Sequence, residues 1–306
     1  MARNLSSDLP LWRSQIIVPV NVDRYVAKAS TLGADSIVLD LEDSITPPEK
    51  AAARGLIAAA AERVGVGGAD VLVRINRPLP LAVRDMEAVI SPSICALILP
   101  KIETANHVQL LAEVADEVEA DKGIPIGHTK FVVLIETADA FFHMRAIAGA
   151  HERVVAISLG GEDFTLATRS QPDPEVLVFP KQQTIIAANA AGVLPLGVIG
   201  SVANYQDIEG YRRAIARSRK FGFRGGSCIH PNIVPLLNEG FSPTDEEVAE
   251  AERIVTGFEK AKAEGRGSIA VDGKMVDIPI VLRAQHVLEI DRRIKEREHR
   301  ASARMK

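Results

Sequence analysis

Cysteine is almost absent from this chain of 306 residues, where Cys95 and Cys228 are the only two. They have no metal-ligand spacing and no second cysteine nearby, which excludes a disulfide framework and a cysteine-built zinc site. Both lie in apolar strand-like runs, CALILP and SCIHP, and read as small buried residues. Aromatic residues make up 4%, and 36 Lys and Arg face 40 Asp and Glu for a net charge of −4. A chain without basic residues clustered among aromatics is not expected to bind nucleic acid. No apolar run is long enough to span a bilayer, and the opening residues MARNLSSDLPLWRS lack the apolar core of a secretory signal. A cytoplasmic protein without membrane or nucleic-acid partners is therefore expected. Also missing are a G-x-G-x-x-G turn after the first strand, a P-loop, and any internal repeat beyond a strand–helix unit.

What the sequence does hold is a regular alternation. Strand-like runs occur at 15–20, 37–40, 71–75, 96–99, 131–135, 154–159, 194–199 and 226–229. Helical patterns separate them, at 22–32, 50–63, 81–89, 104–120, 138–147, 181–191 and 208–220. Eight such units in about 240 residues predict a parallel (β/α)8 TIM barrel, with a doubly wound open sheet as the competitor. The barrel is expected over 1–241 and a C-terminal helix–hairpin–helix extension over 242–306. In the extension, Thr244 and Glu247 make a capping box and Asp272-Gly273 is a hairpin turn signal. The apolar IPIVL segment that follows needs a surface to bury against, such as a neighbouring subunit. The stretch IVLDLEDSITPPEK is the best-marked unit. Its strand ends in Asp40, Glu42 and Asp43, and Thr46, Pro47 and Glu49 are expected to cap the next helix.

The other strands end in the same manner. Their C-terminal ends carry Arg74 and Arg77, then Lys101 and Glu103, then Glu136, then Asp163, and finally His230. In a barrel all of these face one mouth, where barrel enzymes do their chemistry. Glu136 and Asp163, from adjacent strands, suit Mg2+, because two carboxylates leave most of an octahedron to water and substrate oxygens. Gly160-Gly161 ahead of Glu162 and Asp163 can turn backbone N–H groups toward a substrate carboxylate. Arg74 offers a planar pair of donors to a developing enolate or a second carboxylate. Lys101 is read as an ion-pair partner rather than a Schiff-base nucleophile, and His230 as a hydrogen-bonded structural histidine. Together these residues point to Mg2+-assisted carbon–carbon chemistry through an enolate.

At these residues the chain resembles the citrate lyase β-subunit-like family of the HpcH/HpaI aldolase superfamily. The matching segments, in order, are VLDLEDSITPPEKAAAR, VRINR, LPKIET, LIETADAF, LGGEDF, GFRGGSCIHP with FSPTDEEVAEAERIV, and DGKMVDIP. The resemblance implies a barrel, Mg2+, and cleavage or formation of 3-hydroxyacyl-CoA thioesters of the malyl, citramalyl or citryl type. It implies that Arg74 is the substrate arginine and that Glu136 and Asp163 are the metal ligands. Glu42 and Asp43 join Arg74 as catalytic candidates, and Lys101, Gly161 and Glu162 join it in substrate binding. Asp277 matches an acid lent to a neighbouring subunit's site in a trimer or hexamer. The pattern is broken at Val20, at Phe179-Pro180-Lys181, at Leu196 and at Gly226-Ser227, the last replacing a Gly-Lys pair. A lysine missing there removes a phosphate contact. Two alternatives therefore stay open, an aldolase for free 2-oxo acids without CoA and a non-catalytic subunit of a lyase complex.

Overall fold

The computed structural model describes residues 9–200, 206–263, 268–271 and 274–304. The chain divides into two compact units, Met1–Phe241 and Ser242–Lys306.

The first unit is a (β/α)8 barrel. Its strands are β1 Ser14–Pro19, β2 Ser36–Asp40, β3 Asp70–Arg74, β4 Ala96–Leu99, β5 Lys130–Ile135, β6 Val154–Leu159, β7 Leu194–Leu196 and β8 Gly226–Cys228. All pair in parallel in the order β7-β6-β5-β4-β3-β2-β1-β8. Between β7 and β8 the ring closes by two backbone hydrogen bonds, Arg224 N to Pro195 O at 3.0 Å and Gly197 N to Gly225 O at 2.8 Å. Backbone crosses close to backbone here. A Cβ on Gly225 would overlap the Trp12 carbonyl oxygen, and one on Gly197 would sit 2.9 Å from the Phe223 ring. That crowding explains the glycines of the RGGS run and why β7 stops at Leu196, short of the expected Ile199.

The strands are apolar on both faces because both faces are covered. Val38, Leu72, Ala96, Ile98, Val132, Ala156, Leu194 and Leu196 fill the barrel interior, and the alternate residues Ile37, Leu39, Val71, Val73, Leu97 and Val133 pack under the helices. Around the sheet lie α1 Asp23–Ala29, α2 Lys50–Gly65, α3 Leu79–Val89, α4 Ala105–Asp121, α5 Ala138–Ala148, α6 Gly161–Ala167, α7 Pro174–Ala191, α8 Ile208–Phe221 and α9 Ile233–Gly240.

Three expected helix starts differ. α1 begins at Asp23 behind Val22, one residue after its expected start. Thr46 makes no backbone cap. Pro48 has no N–H to give, so Pro47–Glu49 forms a 3-10 turn, the Thr46 hydroxyl pairs with the Glu49 carboxylate at 2.8 Å, and α2 begins at Lys50. The expected loop before Lys181 is mostly helical. Asp173 caps α7 by accepting from Glu175 N at 2.7 Å, Pro174 takes the first helical position, and Pro180 is carried inside the helix.

The second unit holds α10 Asp245–Ala263, an antiparallel hairpin of β9 Ile269–Val271 and β10 Lys274–Val276, and α11 Ile278–Arg304. The Thr244–Glu247 capping box forms in both directions, at 2.8 and 3.2 Å. The Asp272-Gly273 turn lies outside the described residues. Phe258, Val276 and Val281 make a small core, while Met275, Ile278 and Leu282 stay exposed.

Candidate active site

Strand register builds the centre of the barrel mouth. Asp40 and Arg74 are register partners at the ends of β2 and β3. Their side chains form a bidentate pair, Nε to Oδ1 at 2.6 Å and Nη2 to Oδ2 at 2.7 Å. Arg74 Nη1 also lies 2.9 Å from Glu42 and 3.2 Å from Asp43. One planar guanidinium thus gathers the three carboxylates at and just after the end of β2, which a lysine point charge would not orient. Burial works against both charges of the Asp40–Arg74 pair. Arg74 still holds the Asp40 carboxyl below its ordinary value, helped by Ser44 and the Glu42 amide.

Lys101 connects this cluster to the next strands. It follows β4 in a left-handed conformation, with φ of 51°. Such a backbone costs on the order of 1–3 kcal/mol for a non-glycine residue and persists where its surroundings fix it. Its backbone N–H donates to Glu136 Oε2 at 2.8 Å. Its ammonium meets Glu42 at 3.0 Å and lies 3.6 Å from Asp163. Burial opposes the Lys101 charge, but Glu42, Asp43 and Asp163 raise its pKa above the ordinary lysine value. In this structure Lys101 is thus engaged as an ion-pair partner of Glu42.

Glu136 sits at the end of β5 and is buried. Burial pushes its carboxyl up to about 7, and the negative charges of Glu42 and Asp163 add to the effect. Its Oε1 accepts no hydrogen bond among the described residues and faces Gly160, where a Cβ would stand only 2.6 Å away. Asp163 lies in the first turn of α6, half exposed. Among the described residues no three His, Cys, Asp or Glu side chains stand close enough to enclose a metal. Two oxygen donors in a net-negative setting nevertheless suit a hard divalent cation that keeps water or substrate in its remaining positions. The raised Glu136 carboxyl is the mark of charge that such a cation would relieve.

A pH dependence follows for the protein in chelator. Folding moves the Glu136 carboxyl from an ordinary 4.5 to about 7, so the folded state binds more protons than the unfolded state between those values. Stability is then highest at the acid end and falls as pH rises toward 7, by roughly 3 kcal/mol in total from this group. Urea unfolding of the wild type and Glu136→Gln from pH 5 to 8 measures it. The wild type should lose stability relative to the variant across that range, and a constant difference would contradict the assignment.

The mouth opens into a cavity of about 1020 Å3. Asp40, Asp43, Arg74, Glu136, Gly160, Gly161, Glu162 and Asp163 line one side, and the cavity extends to Arg24, Tyr25 and Lys28 on α1 and to Ile229, His230 and Pro231 after β8. His230 Nδ1 accepts from Asn232 N at 3.3 Å, as a structural histidine does. Arg77 turns aside to pair with Glu103 at 3.3 Å. Ser227 donates to Gln15 at 3.2 Å inside the barrel, and Leu196 is part of the interior core. Asp277 lies in the second unit, where its carbonyl accepts from Ile280 N and Val281 N as α11 begins. Sequence reading passed over Arg24 and Lys28 because exposed cations on a helix carry no local signal. It noted Lys181 only as a break in the family pattern, although that lysine stands four residues after Leu177 and four before Ile185 on the buried face of α7.

A (β/α)8 barrel whose mouth gathers Glu136, just after β5, Asp163, in the first turn of α6, and an arginine held by Asp40 has the layout of an aldolase or lyase. Residues 13–231 match the HpcH/HpaI aldolase/citrate lyase family, and the chain belongs to it. It is 35% identical to the citrate lyase subunit beta of Leuconostoc mesenteroides subsp. cremoris over 283 residues, 92% of this chain and 93% of that one. It is 33% identical to an L-malyl-CoA/beta-methylmalyl-CoA lyase of Rhodobacter capsulatus over 301 residues, 91% of this chain and 94% of that one. The crystal structure of the protein CitE from Mycobacterium tuberculosis, in complex with magnesium, acetoacetate and coenzyme A, superposes with a TM-score of 0.73 at 26% identity, covering 93% of this chain and 98% of that one.

Proposed function

We propose that this chain is a Mg2+-dependent carbon–carbon lyase that cleaves or forms a 3-hydroxyacyl-CoA thioester of the malyl, citramalyl or citryl type. The observation that carries the reading is the single cavity joining Arg74, Glu136 and Asp163 to the cations of α1. The relatives named above, which are lyases of citrate and malyl-CoA, support the same reaction class.

In the cleavage direction the 3-hydroxyl gives its proton to water in the mouth as the C2–C3 bond breaks. A 2-oxo acid departs, and the thioester enolate takes a proton at C2. Glu136 and Asp163 would hold Mg2+, which supplies Lewis-acid polarisation of a carbonyl oxygen. Arg74, fixed by Asp40, keeps positive charge beside the developing enolate without having to reorganise. Glu42 and Asp43 hold Arg74 and Lys101 in place. Gly161 and Glu162 flank the substrate at the turn into α6. Arg24 and Lys28 offer phosphate contacts on α1, which makes good the lysine missing at Ser227.

Asp277 is assigned the proton delivered to C2, in a site completed by a neighbouring subunit. Phe142, Leu166 and Phe179 on the barrel and Ile278 and Leu282 on α11 expose large apolar side chains, which supports a closed homo-oligomer. No helix among the described residues is long and apolar enough to cross a membrane. Two cysteines that form no disulfide with each other suit the reducing cytoplasm.

The test is a substrate panel with Mg2+ present. L-malyl-CoA, citramalyl-CoA and citryl-CoA are each incubated with the protein, and products are read by mass spectrometry. Formation of acetyl-CoA with glyoxylate, pyruvate or oxaloacetate from at least one of them is expected. With free 4-hydroxy-2-oxo acids added to the panel, cleavage of these alone, with all thioesters inert, would overturn the CoA assignment.

A further inference from the structure

Lys181 is a buried cation that makes no ion pair among the described residues. It lies on α7 and is 5% exposed. Its ammonium donates to the backbone carbonyls of Val198 and, at 3.3 Å, Gly200. Among the described residues no Asp or Glu stands within ion-pair distance of it. Two carbonyl oxygens replace part of the lost hydration but bring no negative charge, so the ammonium remains poorly compensated. Burial accordingly lowers its pKa to about 8, and Glu162 offsets this only in part.

This charge borders the cavity of the mouth. A Cβ on Gly161 would lie 3.9 Å from Lys181 Nζ, and one on the adjacent Gly160 would lie 2.6 Å from Glu136 Oε1. One glycine pair therefore separates the ammonium from the carboxylate assigned to the metal. A ligand anion reaching Nζ must belong to the acyl end of the substrate. The CoA diphosphate is set apart from the thioester carbonyl by the whole pantetheine arm.

We propose that Lys181 binds the free carboxylate of the acyl group and of the 2-oxo acid product, and so selects carboxylated 3-hydroxyacyl thioesters. The choice of ligand end rests on the lyase reading above, whereas the presence of an anion site does not. Buried charge opposite buried charge is worth most where water is excluded, so the contribution is specific to an anionic group. A neutral acyl group would leave the ammonium uncompensated, and the site would reject it on that ground.

Lys181→Gln keeps a donor for the two carbonyls and removes the charge. Lys181→Met removes both, and methionine fills the space of the lysine stem. Calorimetric titration with oxalate in the presence of Mg2+ is compared with titration by CoA. In both variants oxalate should bind at least tenfold more weakly than to the wild type, with CoA affinity unchanged. Where glyoxylate is a substrate, its KM should rise by a similar factor with kcat little altered. Oxalate affinity within twofold of the wild type in folded Lys181→Gln would overturn the proposal and leave Lys181 as a tie between loops. Should the wild type fail to process any CoA thioester, the lyase reading falls, and the oxalate titration still decides whether Lys181 is an anion site.

Discussion

An Asp163→Ala variant should bind Mg2+ at least a hundredfold more weakly and turn over roughly a thousandfold more slowly, about 4 kcal/mol of transition-state stabilisation. The side chain is 36% exposed and its one ion pair among the described residues, with Lys101, is long at 3.6 Å, so its removal should leave the fold intact. Glu136→Gln should behave alike in metal binding and activity for a different reason. The amide keeps the shape of a buried carboxylate but not its charge, and hydrogen bonds to Lys101 N–H remain possible. Stability at neutral pH should not fall, because the variant no longer buries that charge. Calorimetric Mg2+ titration, steady-state kinetics and thermal unfolding on each variant form the check. Wild-type activity in excess chelator, or full activity in either variant, would remove the metal from the mechanism.

The second large effect is complementation between two dead proteins. Asp277→Ala should lose most turnover while keeping Mg2+ affinity, because Asp277 is assigned a proton and not the metal. If the acid of one chain completes the mouth of another, Asp277→Ala and Asp163→Ala chains can rescue each other. A site built from the barrel of the first and the extension of the second has both groups, and random equimolar assembly in a symmetric ring makes about a quarter of the sites this way. Activity should therefore return to about that fraction of the wild type after co-refolding, and neither variant refolded alone should recover. A mixed oligomer that stays inactive, or a wild type fully active as a monomer, would contradict a shared site.

Much of the barrel was legible because a buried parallel strand and its covering helix write different periods into the sequence. The runs at Ile37–Asp40 and Phe131–Ile135 fall inside β2 and β5. Legibility failed where local signals conflict. Pro47-Pro48 reads as a helix start but denies the cap its donor, and Pro180 reads as a helix break although α7 passes through it. The charged strand ends were equally plain, since a carboxylate after an apolar run is a local pattern. Their pairing was not. That Asp40 locks Arg74, and that Glu136 takes its hydrogen bond from the Lys101 backbone, depend on register and on one left-handed residue, which no window of sequence encodes. The burial of Lys181 was missed for a related reason, because it comes from the face of a helix whose start was itself misread.

The most direct test of carbon–carbon cleavage through an enolate is isotopic. L-malyl-CoA and citramalyl-CoA are incubated with the protein and Mg2+ in D2O, and the products are resolved by mass spectrometry. Cleavage of C2–C3 followed by protonation of the enolate from solvent predicts acetyl-CoA carrying one deuterium at C2, formed together with glyoxylate or pyruvate. Free CoA accompanied by an unlabelled hydroxy acid would show thioester hydrolysis instead, and would contradict the account.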